Sequence, residues 1–106
     1  MNILVTTTAE VPGKQIKKIL GVVRGNTVRS RHIGRDIMAG FKNIVGGEIK
    51  SYTDLLTQAR EEAYNRMVNQ AVDLDADAVV NVRFVTSLVM QGTSEILAYG
   101  TAVKLS

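Results

Sequence analysis

The chain has 106 residues, a formal net charge of +3, and 45% hydrophobic against 22% charged residues, which is the composition of one folded domain and argues against disorder. It has no Cys and one His, which excludes disulfides, thiolate metal sites, cysteine nucleophiles and a multi-histidine zinc or iron site within one chain. No apolar run approaches the ~20 residues of a transmembrane helix, and a strand-like opening without a basic leader argues against a signal peptide.

Residues 2–8 read as a short strand, with Ile3, Leu4 and Val5 followed by three β-favouring threonines. Val11-Pro12-Gly13 is a turn signal. Residues 16–29 predict a second strand, with Leu20, Val22 and Val28 on one side and Ile19, Gly21, Val23 and Gly25 on the other. Two glycines on one face mark a bulge or a close backbone approach. Residues 31–45 predict a helix, with Ile33, Ile37, Met38, Phe41, Ile44 and Val45 at three- and four-residue spacing and Ser30 as N-cap. Gly46-Gly47 ends it.

The clearest helical period covers residues 52–74: Leu55, Leu56, Ala59, Ala63, Met67, Val68, Ala71 and Leu74 form one stripe. Ser51 or Thr53 can cap it. The alanines make the stripe thin, so the helix can lie close on a sheet. Residues 78–90 alternate, with Ala78, Val80, Val82, Phe84, Leu88 and Met90 on one face and Val79, Asn81, Arg83, Val85, Ser87 and Val89 on the other. Gln91-Gly92-Thr93-Ser94 is a turn, and residues 95–105 return as a strand with Leu97, Tyr99, Val103 and Leu105 on one face. The two strands form an antiparallel hairpin.

The order β-β-α-α-β-β predicts an α+β fold: an antiparallel sheet with the long helix packed on one face. Valines on both faces of residues 78–90 ask for cover on both sides, which a second subunit supplies. Charge is divided between the halves. Residues 1–50 carry nine Lys/Arg against three acids, and residues 51–106 carry four against seven. Opposite halves can meet across a subunit interface. The basic residues are scattered with one aromatic, Phe41, among them, which argues against a nucleic-acid surface.

The glycines give neither a phosphate loop nor a dinucleotide fingerprint. His32 stands between Arg31 and Ile33 as a surface helix residue, or as one metal ligand per subunit. Asp73, Asp75 and Asp77 alternate like the start of a calcium loop, but its sixth and twelfth places hold Ala78 and Phe84. A solvated turn from helix to strand accounts for them. Glu48, Tyr52, Arg60, Glu61 and Glu62 form a polar set in which Arg60 could clamp an anion, with no nucleophile–base pair to specify. Arg83, in a Val-rich strand, needs a carboxylate or carbonyl partner, and Glu95 or a neighbouring subunit are the candidates.

Ile44-Val45-Gly46-Gly47-Glu48, Tyr52, Ala59-Arg60, Ala63, Met67, Ala71, Ala78-Val79-Val80 and Ala98-Tyr99-Gly100-Thr101-Ala102-Val103 together resemble the YbjQ-like family of small bacterial and archaeal proteins, sometimes labelled "putative heavy-metal-binding". The early Gly21-Val22-Val23-Arg24-Gly25 strand is similar to the same pattern. Leu74-Asp75-Ala76-Asp77 departs from it, standing where a Gly-Ala-Asn-like turn is usual. The resemblance implies one YbjQ-like domain over residues 1–106, a dodecin-like subunit outline, a ring-like homopentamer and a cytoplasmic location, with no established catalytic residue or cofactor.

Residues matching the motif that could line a shared ligand site are Gly46, Gly47, Glu48, Tyr52, Arg60, Tyr99 and Thr101. Metal candidates are His32, Glu48, Asp75 and Asp77, although soft metals want thiolate or imidazole. The expected function is a homo-oligomeric binding or assembly protein with ligand pockets between subunits. The alternatives are a metal site assembled across subunits and an enzyme acting on a small anionic substrate.

Overall fold

A computed structural model describes residues 3–30 and 47–106, with side chains described for 3–29 and 53–106. The elements are β1 (Leu4–Val5), β2 (Ile16–Ser30), α1 (Gly47–Asp73), β3 (Ala78–Met90) and β4 (Thr93–Leu105). The four strands make one sheet in the order β1-β3-β4-β2. Helix α1 lies across one face, chiefly over β2 and β4. The α+β expectation holds. The helix expected over residues 31–45, with His32 and Phe41, lies outside the described residues, while Ser30 closes β2.

The sheet is mixed rather than antiparallel. β1 runs parallel to β3, with Leu4 opposite Ala78 and Val5 opposite Val79. Alternation of apolar residues reports burial and not direction. The chain returns to the side of β1 only after β2 and α1, and a connection of that length permits a parallel pairing that a hairpin forbids. β3 and β4 form the expected antiparallel hairpin, and β2 joins the other side of β4, also antiparallel.

Two bulged strands rearrange the expected faces. In β3 the register moves from Val80↔Thr101 to Arg83↔Tyr99, so β3 carries one extra residue there. Asn81 sits at φ 54, a left-handed conformation that Asn tolerates better than most residues. Val82 therefore shares the helix-side core with Val79, while Ala78 and Val80 pack on the opposite face. In β2 the register slips between Ile16 and Lys18 and again between Ile19 and Gly21. Leu20 consequently packs with the helix-side core that holds Val23, on the other side from Val22.

The thin helix stripe does what its alanines allow. Ala59, Ala63, Met67 and Ala71 are fully buried. A Cβ built on Gly25 of β2 would lie 2.2 Å from the Ala63 carbonyl oxygen and 2.5 Å from the Met67 nitrogen. The helix backbone thus rests directly on the strand, and glycine is what makes room. Polar ties fix this contact. Thr27, which is buried, donates its hydroxyl to the Ala59 carbonyl at 3.1 Å. Glu62 pairs with Arg29 of β2 and with Arg66 at 2.6 Å, and Arg66 also donates to the Asn26 carbonyl.

Helix α1 starts at Gly47, upstream of the expected cap, so Ser51 and Thr53 lie within it. Its far end closes with two reversed bonds: Asp75 N to Val72 O at 2.9 Å and Ala76 N to Ala71 O at 3.0 Å. Asp75 takes the left-handed position of this Schellman closure, φ 60, where glycine is the usual occupant.

Burial is uneven along the hairpin. β3 is largely buried from Ala78 to Val82, then exposed at every residue from Arg83 to Met90. The helix covers β2 and β4 and barely reaches β3, so the far half of β3 projects beyond its cover.

Candidate functional site

Period-two alternation places the expected site residues. On β4, Ile96, Ala98 and Ala102 face the helix-side core. Tyr99 and Thr101 therefore face the other way, onto the open side of the sheet. Tyr99 is exposed and Thr101 half-buried. Val103, which also faces this side, is covered by Val11 of the loop after β1 together with Leu105.

Arg60 lies on the exposed flank of α1, where its guanidinium donates to the Thr57 hydroxyl at 3.4 Å. It is on the opposite side of the sheet from Tyr99 and Thr101. One subunit does not bring these three together. Gly47, Glu48 and Tyr52 belong to the first turns of α1, with their side chains outside the description. Gly46 and His32 lie outside the described residues.

The open face has a polar row that the sequence did not reveal. Tyr99 stands opposite Arg24 of β2 and Arg83 of β3, so a phenol is flanked by two guanidinium-bearing residues on adjacent strands. Neighbouring strands are ~4.8 Å apart, which spaces the two arginine Cα atoms by about 10 Å. Arg83 does not pair with Glu95. Its Nη1 donates to the Thr7 and Val82 carbonyls, both at 2.9 Å. The Glu95 carboxylate accepts from Asn26 Nδ2 at 3.1 Å. Among the described residues, no carboxylate pairs with Arg24 or Arg83. Two cations without a counter-charge among the described residues, beside Val22, Leu97 and Val85, suit an anion. Their adjacency depends on counting the extra residue at Asn81, which plain alternation misses.

The acidic turn is occupied from within. Lys104 Nζ lies 3.6 Å from the Asp75 carboxylate and 3.4 Å from that of Asp77, and donates to the Asp75 carbonyl at 2.9 Å. Asp77 also accepts the Leu105 N–H at 2.8 Å. That backbone hydrogen bond, followed by the Lys104 charge, holds the Asp77 carboxyl below its ordinary pKa. Among the described residues, no three His, Cys, Asp or Glu side chains are grouped to hold a metal. A divalent ion at Asp75 and Asp77 would have to displace Lys104, so these two do not fit one as they stand. Among the described residues, no helix is long and apolar enough to cross a membrane.

Residues 3–106 match a family model described as "Putative heavy-metal-binding", the YbjQ family. A UPF0145 protein of Archaeoglobus fulgidus is 62% identical over 104 residues, covering 98% of this chain and 96% of the relative. A UPF0145 protein of Photobacterium profundum is 63% identical over 102 residues, covering 96% and 99%. Another, from Methanoculleus marisnigri, is 63% identical over 102 residues, covering 96% and 95%. A crystal structure of a protein with unknown function from Pediococcus pentosaceus, assigned to the DUF74 family, superposes with a TM-score of 0.64 over 100% of both chains at 18% identity. At that identity the likeness speaks for the fold.

Proposed function

The chain belongs to the YbjQ-like, UPF0145 family, and from that premise we propose that it is a subunit of a homo-oligomer that binds a small anionic ligand where copies meet. The observation that carries this reading is the uncovered half of β3. Phe84, Val85, Leu88, Val89 and Met90 are all exposed, Leu88 to 73%, and Ile19, Val22 and Val28 are exposed on β2 as well. Apolar surface of this extent marks an interaction site.

A ring-like homopentamer with a dodecin-like subunit outline, in the cytoplasm, is the arrangement the family resemblance implies. Stacking the helix side of one copy on the open side of the next would bring Arg60 of one subunit towards Tyr99 and Thr101 of another. Gly47, Glu48 and Tyr52 are in the first turns of the helix that carries Arg60. Arg24 and Arg83 supply the charge. The same groups would serve an enzyme acting on a small anionic substrate.

Sedimentation velocity over a wide protomer concentration range tests the assembly. A species several times 11.5 kDa supports it, and a monomer throughout removes it. A metal-binding reading rests on the family's description and requires His32 or Glu48 of several copies to converge by symmetry. Calorimetry with Zn, Cu, Ni and Ca ions tests it, and absence of heat with all four ends it.

A further inference from the structure

We infer that the anion this protein takes is an elongated dianion, with two terminal oxyanion groups and an apolar middle, laid across Tyr99 from Arg24 to Arg83. This deepens the anion-binding reading above and rests on it. The row runs in one line across three strands, since Tyr99 stands opposite Arg24 of β2 and opposite Arg83 of β3. All three residues share the open face. Val23 and Gly25 are buried on the helix side, so Arg24 between them turns the other way. Val82 belongs to the helix-side core, so Arg83 turns away from it as well.

Arg83 fixes one end. Its Nη1 donates to the Thr7 and Val82 carbonyls, both at 2.9 Å. Thr7 follows β1, and its neighbours Thr6 and Thr8 accept the Val82 and Asn81 N–H groups. Thr7 therefore lies along the outer border of β3, on the side away from Tyr99. The Arg83 guanidinium is drawn outward with it and does not converge with Arg24 on one small anion. Its two carbonyl partners are neutral, so the charge stays uncompensated, and a held side chain loses little freedom on binding. Arg24 supplies the other end. Gln70 Oε1 accepts its backbone N–H at 2.9 Å, while its guanidinium has no partner among the described residues. The two arginine Cα atoms stand about 10 Å apart across three strands, which sets the spacing of the charges the ligand carries.

The middle of the row is apolar. Tyr99 is 36% exposed, with Leu97 and Val85 paired in the next row to one side and Val22 beside Thr101 on the other. A flat apolar body can rest on this surface. The Tyr99 hydroxyl, without a partner among the described residues, can donate to an oxyanion. Glu95 shares the face but stands four residues along β4, about 13 Å away, and its carboxylate accepts from Asn26. A single charge would leave one guanidinium unmatched. Two charges separated by an apolar span match the row.

The test is calorimetric titration of the intact wild-type protein with three probes. Suberate and octanoate share a chain length and differ by one carboxylate, and succinate holds its two carboxylates closer together. Amide chemical shifts locate the site in the same samples. The expected result is suberate bound at least about 10-fold tighter than either, the worth of one charge-assisted contact, with shifts at Arg24, Tyr99 and Arg83. Octanoate binding as tightly as suberate overturns the second charge, and succinate doing so overturns the spacing. Shifts away from this row overturn the location. A response to inorganic phosphate alone overturns the dianion and leaves the anion reading standing, whereas no response to any of the four removes both. Arg24→Gln should bring suberate down to the affinity of octanoate with the far-ultraviolet spectrum retained, because that guanidinium makes no contact that holds the described fold. A folded variant that keeps wild-type suberate affinity contradicts the inference.

Discussion

Replacing Gly25 by Ala is the sharpest perturbation of the helix–sheet contact. The new methyl group would meet Ala63 O at 2.2 Å, Met67 N at 2.5 Å and Arg66 Cβ at 2.6 Å. Carbon contacts settle near 3.5 Å, so α1 must rise from β2 by about 1 Å. None of the three atoms can swing away, since two are helix backbone and the third is rigidly attached to it. Overpacking costs ~1–3 kcal/mol where side chains can adjust. Here the upper end, ~3 kcal/mol, is expected, because lifting the helix also loosens Ala59, Ala63, Met67 and Ala71 and stretches the Thr27–Ala59 hydrogen bond. For a domain of this size that lowers the melting temperature by about 10–20 °C. Urea unfolding followed by circular dichroism, at one fixed protomer concentration, measures it. Gly13→Ala is the control: its Cβ would meet nothing within 4 Å at φ +77, so it bears only the left-handed backbone cost of about 1–2 kcal/mol. A Gly25→Ala protein within about 0.5 kcal/mol of wild type would refute direct backbone-on-backbone packing.

Asp75→Gly should stabilise the protein by about 0.5–1 kcal/mol, because it relieves the left-handed residue of the helix closure and gives up only an exposed ion pair of little worth; a lower melting temperature would contradict this. Thr27→Val should cost about 1 kcal/mol through the lost bond to Ala59 O, read from the same urea curves. Asp77→Asn tests the turn through pH. Because the folded protein lowers the Asp77 pKa, its contribution is present above the unfolded aspartate value and is lost as pH falls through the folded one. The melting-temperature gap between wild type and variant should be full at pH 7 and close in acid, and a gap constant with pH would contradict it. Any uptake of Zn or Ca by the wild type should survive Asp75→Asn with Asp77→Asn, as measured by calorimetry, since Lys104 already occupies those carboxylates.

The strands and the long helix were legible because their periods are strong. β4 alternates without interruption from Thr93 to Val103 apart from its hairpin end, so the faces of Ile96, Ala98, Tyr99 and Thr101 could be read from sequence. β2 and β3 could not be read to their ends. A bulge shifts every later side chain to the other face, and this moved Leu20 and Val82. Gly21 and Asn81 are the residue types that such irregularities favour, yet neither fixes their place. The parallel pairing of β1 has no signature in two residues. The placement of the candidate residues was legible on β4. The neighbours of Tyr99 were hidden, because Arg24 and Arg83 come beside it only through inter-strand register. Arg83 found its carbonyl partner in Thr7, a contact 76 residues apart in sequence.

The central claim is that copies of this chain cover what one copy leaves bare, and a native mass spectrum of freshly purified, untagged protein addresses it most directly. The account predicts a discrete multiple of the 11.5 kDa subunit, five copies if the family resemblance carries through. Extra mass that leaves on denaturation would report a bound ligand and give its mass. A bare 11.5 kDa monomer at micromolar concentration would contradict the account, leaving Phe84 to Met90 as apolar surface that no partner covers.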